Sequence, residues 1–311
     1  MSTNTSITTQ AEWNQAIKDL PTTPSDIPAF FLAHGSPFLA FPKHEAPSHL
    51  RGPTGSLARF LQDFGPALLK KYQPKGIVVF SAHWETPKTR LVTDYGDENP
   101  LLMDYYGFQP SLYELKFKSK GNSKLSQRIV QLYRENGHSA RTSSKLEPRG
   151  EDGRGFLGPG LDHGVFVPFR LMFGEEFDDI PIVQVSIDSN MSPESNWAIG
   201  KALIKLRQEG ILVISGGLTI HNLRDPASFS PDTAGAIYKE FDRAIIDAVT
   251  ILDADERKQA MVNLTRHPGF RAAHPREDHF VPLYVAAGAG EGGGVRVITT
   301  LYGAPTFAFG V

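Results

Sequence analysis

The sequence contains no cysteine. This absence excludes disulfide bonds, thiolate nucleophiles, and cysteine-ligated zinc or iron–sulfur sites. Any metal ion must therefore be held by imidazole, carboxylate or carbonyl groups, or by water. Because a chain without cysteine fits a reducing compartment, we expect a cytoplasmic location.

The chain also lacks long apolar runs and a marked excess of either charge. Its formal net charge is −2 at pH 7, with acidic and basic residues mixed along the chain. Proteins that bind nucleic acid or an anionic membrane usually have a basic surface, and proteins that span a membrane have a long apolar segment. We therefore expect neither nucleic acid nor a membrane as a partner. Residues 1–26 are rich in Ser, Thr and Gln and have no apolar core of signal-peptide length, so we expect a flexible N-terminal segment.

Residues 27–311 have the pattern of one large α/β domain, as a monomer or a homodimer. Hydrophobic residues make up 40% of the chain, which is enough for a large core. Apolar runs predict strands at 29–33, 76–82, 89–93, 181–187, 211–216 and 295–301, and helical periodicity predicts helices at 56–72, 123–136, 193–209 and 231–252. This alternation favours a central, mostly parallel or mixed sheet with helices on both faces.

Several apolar runs end next to a histidine. The runs 30–33 and 77–82 lead directly into His34 and His83, and the run 211–217 reaches His221 within a few residues. Ligands of such sheets collect beyond the carboxyl ends of the strands, so these three imidazoles are candidates for one shared metal ion. For any one of them alone, a surface or hydrogen-bonding role is the ordinary alternative.

Two further histidines have polar neighbours that allow a second interpretation. His163 follows Asp162, which is alternatively a plain cap of a helix ending at Phe173. His279 follows Asp278 in a polar stretch before an apolar helix, where Asp278 is alternatively the helix cap.

Aromatic and basic residues offer candidates for substrate contacts. An apolar slot for a planar ring could be lined by Phe38, Trp84, Tyr105, Tyr106 and Phe108, although each is equally interpretable as an ordinary core or surface aromatic. A substrate carboxylate could be bound by Arg149, Arg154 or Arg276, since a guanidinium group matches a carboxylate with two hydrogen bonds.

Six motifs in order, between residues 28 and 305, resemble the class III extradiol ring-cleaving dioxygenases of the DOPA 4,5-dioxygenase type. They are His-Gly-Ser-Pro at 34–37, Ser-Ala-His-Trp at 81–84, Gly-Leu-Asp-His-Gly at 160–164, Pro-Ile-Val-Gln-Val-Ser-Ile-Asp at 181–188, Ser-Gly-Gly-Leu-Thr-Ile-His-Asn-Leu at 215–223 and Pro-Arg-Glu-Asp-His-Phe-Val-Pro-Leu at 275–283. The resemblance implies a mononuclear metal enzyme that opens a catechol ring with O₂ to give a semialdehyde.

The resemblance also implies roles for individual histidines. His34, His83 and His279 match the positions of the metal ligands, although Glu277 and Asp278 beside His279 leave the third ligand open. His221 matches a position that is either a fourth ligand or the acid/base residue, and His163 matches a histidine that faces the substrate. Fe(II) is the expected ion for activity, and Zn(II) is a possible ion after purification because zinc binds such sites more tightly than ferrous iron.

A different class of protein fits the same residues. Three histidines and an open coordination position also describe a catalytic zinc site, so a zinc-dependent hydrolase or a zinc-binding protein without ring-cleaving activity is the alternative. A module that senses an aromatic ligand without converting it is a third interpretation.

Overall fold

An eight-stranded mixed sheet forms the centre of the protein, as seen in a computed structural model that describes residues 6–22, 26–41, 52–149 and 158–311. The strands are β1 Ala29–Ala33, β2 Gly76–Thr86, β3 Thr89–Asp94, β4 Lys118–Ser119, β5 Ser139–Ser144, β6 Glu176–Phe177, β7 Ile182–Asp188, β8 Ile211–Gly217, β9 Val295–Thr299 and β10 Thr306–Phe309. Their order in the main sheet is β5-β3-β7-β2-β8-β1-β10-β9, and β4 pairs with β6 separately. The predicted α/β class and mixed sheet are confirmed.

Helices cover both faces of this sheet. They are α1 Gln10–Lys18, α2 Ser56–Tyr72, α3 Ser123–Glu135, α4 His163–Phe173, α5 Pro193–Lys201, α6 Ile204–Gln208, α7 Ala236–Val249, α8 Ala254–Asn263, α9 Phe270–Ala273 and α10 Pro282–Ala289. Helices α1, α2 and α4 pack in one hydrophobic cluster, whereas α3, α5, α7 and α10 pack in the other. The neighbours Phe30 and Phe31 in β1 are both buried, one in each cluster, because successive side chains of a strand point to opposite faces.

The four central strands, β7, β2, β8 and β1, run parallel to one another. Their carboxyl ends therefore lie along one edge of the sheet. All residues of β1, β2 and β8 are buried, which explains why β1, β8 and the part of β2 before His83 are continuous apolar or small-residue runs rather than alternating ones. Strand β2 extends through His83 to Thr86, beyond the predicted end at residue 82. Among the described residues, no helix combines the length and the apolar character that crossing a membrane requires.

The segment predicted to be flexible contains helix α1. Thr9 and Glu12 form a reciprocal capping box at its start, and Trp13 and Ile17 are buried against the core. The prediction missed this helix because the polar composition of the segment hides two buried residues spaced one helical turn apart. Residues 1–5 and 23–25 lie outside the described part of the chain.

Two helices are shorter in the structure than the ranges that the sequence predicted for them. The helix predicted at 193–209 is divided into α5 and α6, because the Leu203 N–H donates to the Gly200 carbonyl three residues back instead of four. The helix predicted at 231–252 begins only at Ala236, since the backbone at Thr233 and Ala234 forms turns onto Ser230. Strand β10 was not predicted, because a four-residue strand carries little periodic signal.

Candidate metal centre

Two of the predicted histidines lie at the same height near the carboxyl ends of three neighbouring strands. Ser81 of β2, Gly216 of β8 and Leu32 of β1 lie side by side in the parallel register. His83 and His34 each follow two residues later, so their imidazoles lie on either side of the end of β8. The same register that buries the strands therefore brings together residues 49 positions apart in the chain.

His279 reaches this edge from the segment that precedes α10. Its carbonyl accepts a hydrogen bond from the Leu218 N–H at 2.9 Å, just after β8. A Cβ atom at Gly217 would lie 2.4 Å from the His279 carbonyl oxygen, so only glycine allows this close approach. The His34 N–H donates to the Gly217 carbonyl at 3.1 Å, which ties all three segments to the end of one strand.

The side chains of His34, His83 and His279 form a compact buried cluster. Each offers a ring nitrogen, and these three atoms all lie within 4.8 Å of one another. The Nε2 atoms of His83 and His279 are 3.0 Å apart. All three residues are at most 3% exposed. The structure thus brings together the three residues that the sequence predicted as ligands.

The protonation and bonding of His34 fit a divalent ion. Neither ring nitrogen of His34 has a hydrogen-bond partner among the described residues, although both are buried. Burial, followed by the nearby His83 and His279, holds the pKa of His34 well below its ordinary value. The imidazole is therefore a neutral nitrogen donor, and a metal ion would compensate for the hydrogen bonds that its buried nitrogens lack.

A carboxylate that the sequence analysis did not single out lies between His83 and His163. Asp104 Oδ2 is 3.1 Å from His83 Nδ1, and Asp104 Oδ1 is 2.7 Å from His163 Nδ1. Burial by itself raises the pKa of Asp104, but the attraction of His163 and His83 outweighs it and holds this pKa well below the ordinary value. The only signal in the sequence was an acidic residue immediately before the aromatic pair Tyr105 and Tyr106.

His221 lies on the other side of the cluster. Its ring is stacked on that of His279, with centroids 3.5 Å apart and planes 10° from parallel. A ring nitrogen of His221 lies within 4.8 Å of a ligand atom of His279 and of Asp278. Among the described residues, His221 does not belong to the cluster that contains His34 and His83. Its backbone N–H donates to the Ala273 carbonyl at 2.9 Å.

Asp162 caps α4, as the alternative interpretation held, and also binds Arg149. It accepts from the Gly164 N–H at 2.9 Å and pairs with Arg149 Nη2 at 2.8 Å. Arg149 is fully buried by this pair, so we withdraw it as a candidate for a substrate carboxylate. The Arg149 guanidinium lies 4.6 Å from the Trp84 ring centroid, and Trp84 Nε1 donates to the Arg149 carbonyl. We therefore assign Trp84, which is also fully buried, to the packing behind His83 rather than to a substrate slot.

Three of the predicted aromatics do form a wall beside His163. The ring of Phe108 lies 5.1 Å from Phe38 and 5.3 Å from Tyr105, and the ring of Tyr105 lies 5.6 Å from His163. Tyr106 is 82% exposed and lies outside this arrangement. The wall therefore consists of Phe38, Tyr105 and Phe108.

Arg276 is close to the centre but already has partners. Its Nη2 lies 2.6 Å from both carboxylate oxygens of Glu85, and its Nη1 lies 3.5 Å from Asp278. Asp278 also lies 3.1 Å from His279 Nδ1 and does not cap α10, whose first turn has no side-chain cap. The side chain of Arg276 is still 45% exposed. The third arginine candidate, Arg154, lies outside the described residues.

Comparison with known proteins gives one family over almost the whole chain. Residues 28–311 match the LigB family, described as the catalytic LigB subunit of aromatic ring-opening dioxygenase. The "4,5-DOPA dioxygenase extradiol-like protein" of Schizosaccharomyces pombe is 43% identical over 303 residues, which are 96% of this chain and 97% of that protein. The "4,5-DOPA dioxygenase extradiol" of Beta vulgaris is 32% identical over 265 residues, which are 84% of this chain and 85% of that protein.

A solved structure shares the fold. The crystal structure of an uncharacterized protein from Escherichia coli K12 superposes with a TM-score of 0.64 at 24% sequence identity. The match covers 91% of this chain and 99% of the other. It supports the arrangement of the sheet and its helices.

Proposed function

Because this chain belongs to the LigB family of aromatic ring-opening dioxygenases and is therefore an extradiol dioxygenase, we propose that it opens the ring of a DOPA-like catechol with O₂ to give a semialdehyde. The observation that carries the proposal is the cluster of three buried ring nitrogens beside an aromatic wall. The names of the relatives support DOPA as the substrate to test first. The zinc hydrolase alternative loses support, since nothing in the family match points to hydrolysis.

We assign the metal to His34, His83 and His279, with Fe(II) as the active ion. Dioxygen in its triplet ground state reacts slowly with a singlet catechol, and bound Fe(II) would supply the one-electron chemistry that overcomes this restriction. Three neutral imidazoles leave the charge of a divalent ion uncompensated by its ligands, so a catecholate should bind well beside them. We expect Zn(II) to occupy the site after purification in air, because nitrogen-donor sites bind Zn(II) more tightly than Fe(II).

The remaining side chains would orient the ring and move protons. The wall of Phe38, Tyr105 and Phe108 offers apolar faces on which a planar ring can pack. Ring opening requires that a catechol hydroxyl loses a proton and that a proton is later returned, which a neutral imidazole can do near pH 7. We assign this role first to His221, which lies against His279, and second to His163, which contacts the wall.

One experiment tests the proposal against its alternatives. The metal-free protein is reconstituted anaerobically with Fe(II) or Zn(II), mixed with DOPA and then exposed to air, while oxygen uptake and a yellow semialdehyde are followed. Oxygen uptake and ring opening with iron alone are the expected result. The zinc form is assayed in parallel, without oxygen, with an ester such as 4-nitrophenyl acetate, because DOPA contains neither an ester nor an amide. Ester cleavage by the zinc form with no ring opening by the iron form would overturn the proposal in favour of a hydrolase. DOPA binding without oxygen uptake by the iron form would overturn it in favour of a sensor.

A further inference from the structure

The carboxylate of Asp104 contacts two histidines that have different proposed roles. Its Oδ1 accepts a hydrogen bond from the His163 backbone N–H at 2.8 Å and lies 2.7 Å from His163 Nδ1. Its Oδ2 lies 3.1 Å from His83 Nδ1. The side chain is 1% exposed, so water does not compete for these oxygens.

The other carboxylate near His83 is already saturated. Asp162 Oδ1 lies 3.5 Å from His83 Nδ1, which is longer than the contact from Asp104. The two oxygens of Asp162 accept from Ser81 Oγ at 2.6 Å, the Gly164 N–H at 2.9 Å, Gln184 Nε2 at 2.5 Å and Arg149 Nη2 at 2.8 Å. Asp104 is therefore the nearer of the two carboxylates to His83 Nδ1, at an ion-pair distance and without the geometry of a hydrogen bond.

An ionised carboxylate only accepts hydrogen bonds, so the bond between Asp104 and His163 requires the proton on His163 Nδ1. At His83 the negative oxygen 3.1 Å from Nδ1 favours a proton on that nitrogen by its charge. With the proton on Nδ1, the Nε2 atom of a neutral ring keeps its lone pair. For His83 this lone pair is on the atom that lies 3.0 Å from His279 Nε2, inside the cluster of proposed ligands. For His163 it is on the nitrogen remote from Asp104, which can then accept a proton.

We propose that Asp104 is a positioning residue that fixes the Nδ1–H tautomers of both His83 and His163. One carboxylate thereby orients a metal ligand and prepares a proton acceptor. Outer carboxylates of this kind hold the ring of a metal-bound histidine and increase its basicity. Asp104 is also adjacent to Tyr105, so the same anchor places the aromatic wall relative to both histidines. The part of this inference that concerns turnover rests on the proposed ring-opening function.

The tautomers can be measured without any change to Asp104. Two-dimensional ¹⁵N–¹H spectra of ¹⁵N-histidine-labelled protein, metal-free and zinc-loaded, report which ring nitrogen carries the proton. His83→Gln and His163→Gln proteins assign the two signals. We expect the Nδ1–H form for both residues in the metal-free protein and a protonated Nδ1 on His83 in the zinc form. An Nε2–H signal for His163 in the metal-free wild type would overturn the proposal, whatever the substituted proteins do.

Asp104→Asn tests the consequence for the metal. An amide is neutral and has one acceptor oxygen, so it cannot both accept from His163 and place a negative oxygen beside His83 Nδ1. We expect zinc or Co(II) affinity to fall about 10- to 100-fold and the visible absorption of the Co(II) protein to change. Asp104→Glu should recover part of the affinity. The matched control is Asp63→Asn, which removes a carboxylate that accepts from Trp13 Nε1 in the region of α1 and should leave both readouts unchanged.

A double substitution separates the two histidines. In a His163→Gln background, Asp104→Asn should still weaken metal binding but lower turnover less than it does alone, because its effect through His163 is already lost. Unchanged affinity and an unchanged Co(II) spectrum in folded Asp104→Asn would overturn the inference. If the wild type consumes no oxygen with catechols while Asp104→Asn still weakens metal binding, the ring-opening proposal fails and the positioning role stands.

Discussion

The imidazole of His221 lies face to face with that of His279, with centroids 3.5 Å apart and an interplanar angle of 10°. The sequence left open whether His221 is a fourth ligand or an acid/base residue. Its nitrogen groups with Asp278 and His279, a second set able to hold a metal ion, and not with His34 and His83. It therefore lies outside the proposed ligand set, and the acid/base role is the one we propose for it. The distinction has a direct consequence for substitutions at these positions.

Removal of any of the three proposed ligands should abolish stable metal binding. His34→Ala, His83→Ala and His279→Ala each delete one of the clustered nitrogens, and two remaining imidazoles hold a divalent ion weakly. Elemental analysis should give well below one ion per chain for each variant. His138→Ala is the control, since that imidazole packs on Tyr133 and not in the cluster. A variant that keeps full metal content would remove its histidine from the ligand set.

His221→Ala should keep most of its metal and lose turnover. The loss of a general acid/base typically lowers the rate by about 10²- to 10⁴-fold, so kcat of the iron-loaded variant should fall within this range. Metal content and kcat are measured on the same preparation. Loss of the metal together with the activity would instead identify His221 as a structural ligand.

His274 should support His221 from outside the centre. Its Nε2–H donates to the Thr219 carbonyl at 2.8 Å, and burial lowers the pKa of His274 to about 4, so the ring is neutral. His274→Phe keeps the aromatic packing against Phe280 but leaves the Thr219 carbonyl unpaired, which should cost about 1–3 kcal/mol of unfolding free energy. It should also lower kcat without loss of metal.

The control for this prediction is His274→Gln, whose amide nitrogen can replace the missing donor. It should restore kcat relative to His274→Phe if the hydrogen bond positions the residues leading to His221. Equal kcat values in the two variants would show that packing alone matters at this position.

Arg276 and Glu85 should change the affinity for substrate in opposite directions. The guanidinium is bound by both oxygens of Glu85, so a substrate carboxylate must compete with this residue. Arg276→Gln should raise KM for DOPA by about tenfold or more, because a charge-assisted hydrogen bond is lost. Glu85→Gln should lower KM for DOPA. Steady-state kinetics with 4-methylcatechol provide the comparison, since that ring carries no carboxylate. Equal effects on both substrates would contradict the prediction that Arg276 binds the substrate carboxylate.

Asp242 should make stability depend on pH. Burial raises the pKa of Asp242 to about 6, and its carboxylate accepts from the Gly303 N–H beside Tyr302. Because the folded state binds this proton more tightly than the unfolded state does, the stabilising effect is complete below about pH 4 and is lost as the pH rises to about 6. Wild-type protein should therefore lose stability relative to Asp242→Asn over this interval. Urea unfolding of both metal-free proteins at several pH values checks this, and a constant difference would refute it.

Two residues that the sequence offered as substrate contacts are too buried for that role. Arg149 and Trp84 were candidates for substrate contacts, but both are fully buried: they pack on each other, and Arg149 pairs with Asp162. Side-chain partners 13 or more residues away decide whether an arginine is free for substrate. No local pattern in the sequence contains that information.

What the sequence determined by itself is the sheet and the ends of its strands. The apolar runs that lead into His34 and His83 are too short for typical helices, and the residues at their carboxyl ends collect at one edge of a parallel sheet, so His34 and His83 could be assigned directly. Motif order then identified the family and suggested His279. The tertiary structure alone decided which groups touch these imidazoles: Asp104, Asp278 and His221. The reason is physical, because tautomer, charge and stacking depend on contacts of a few ångströms between segments that the chain keeps far apart.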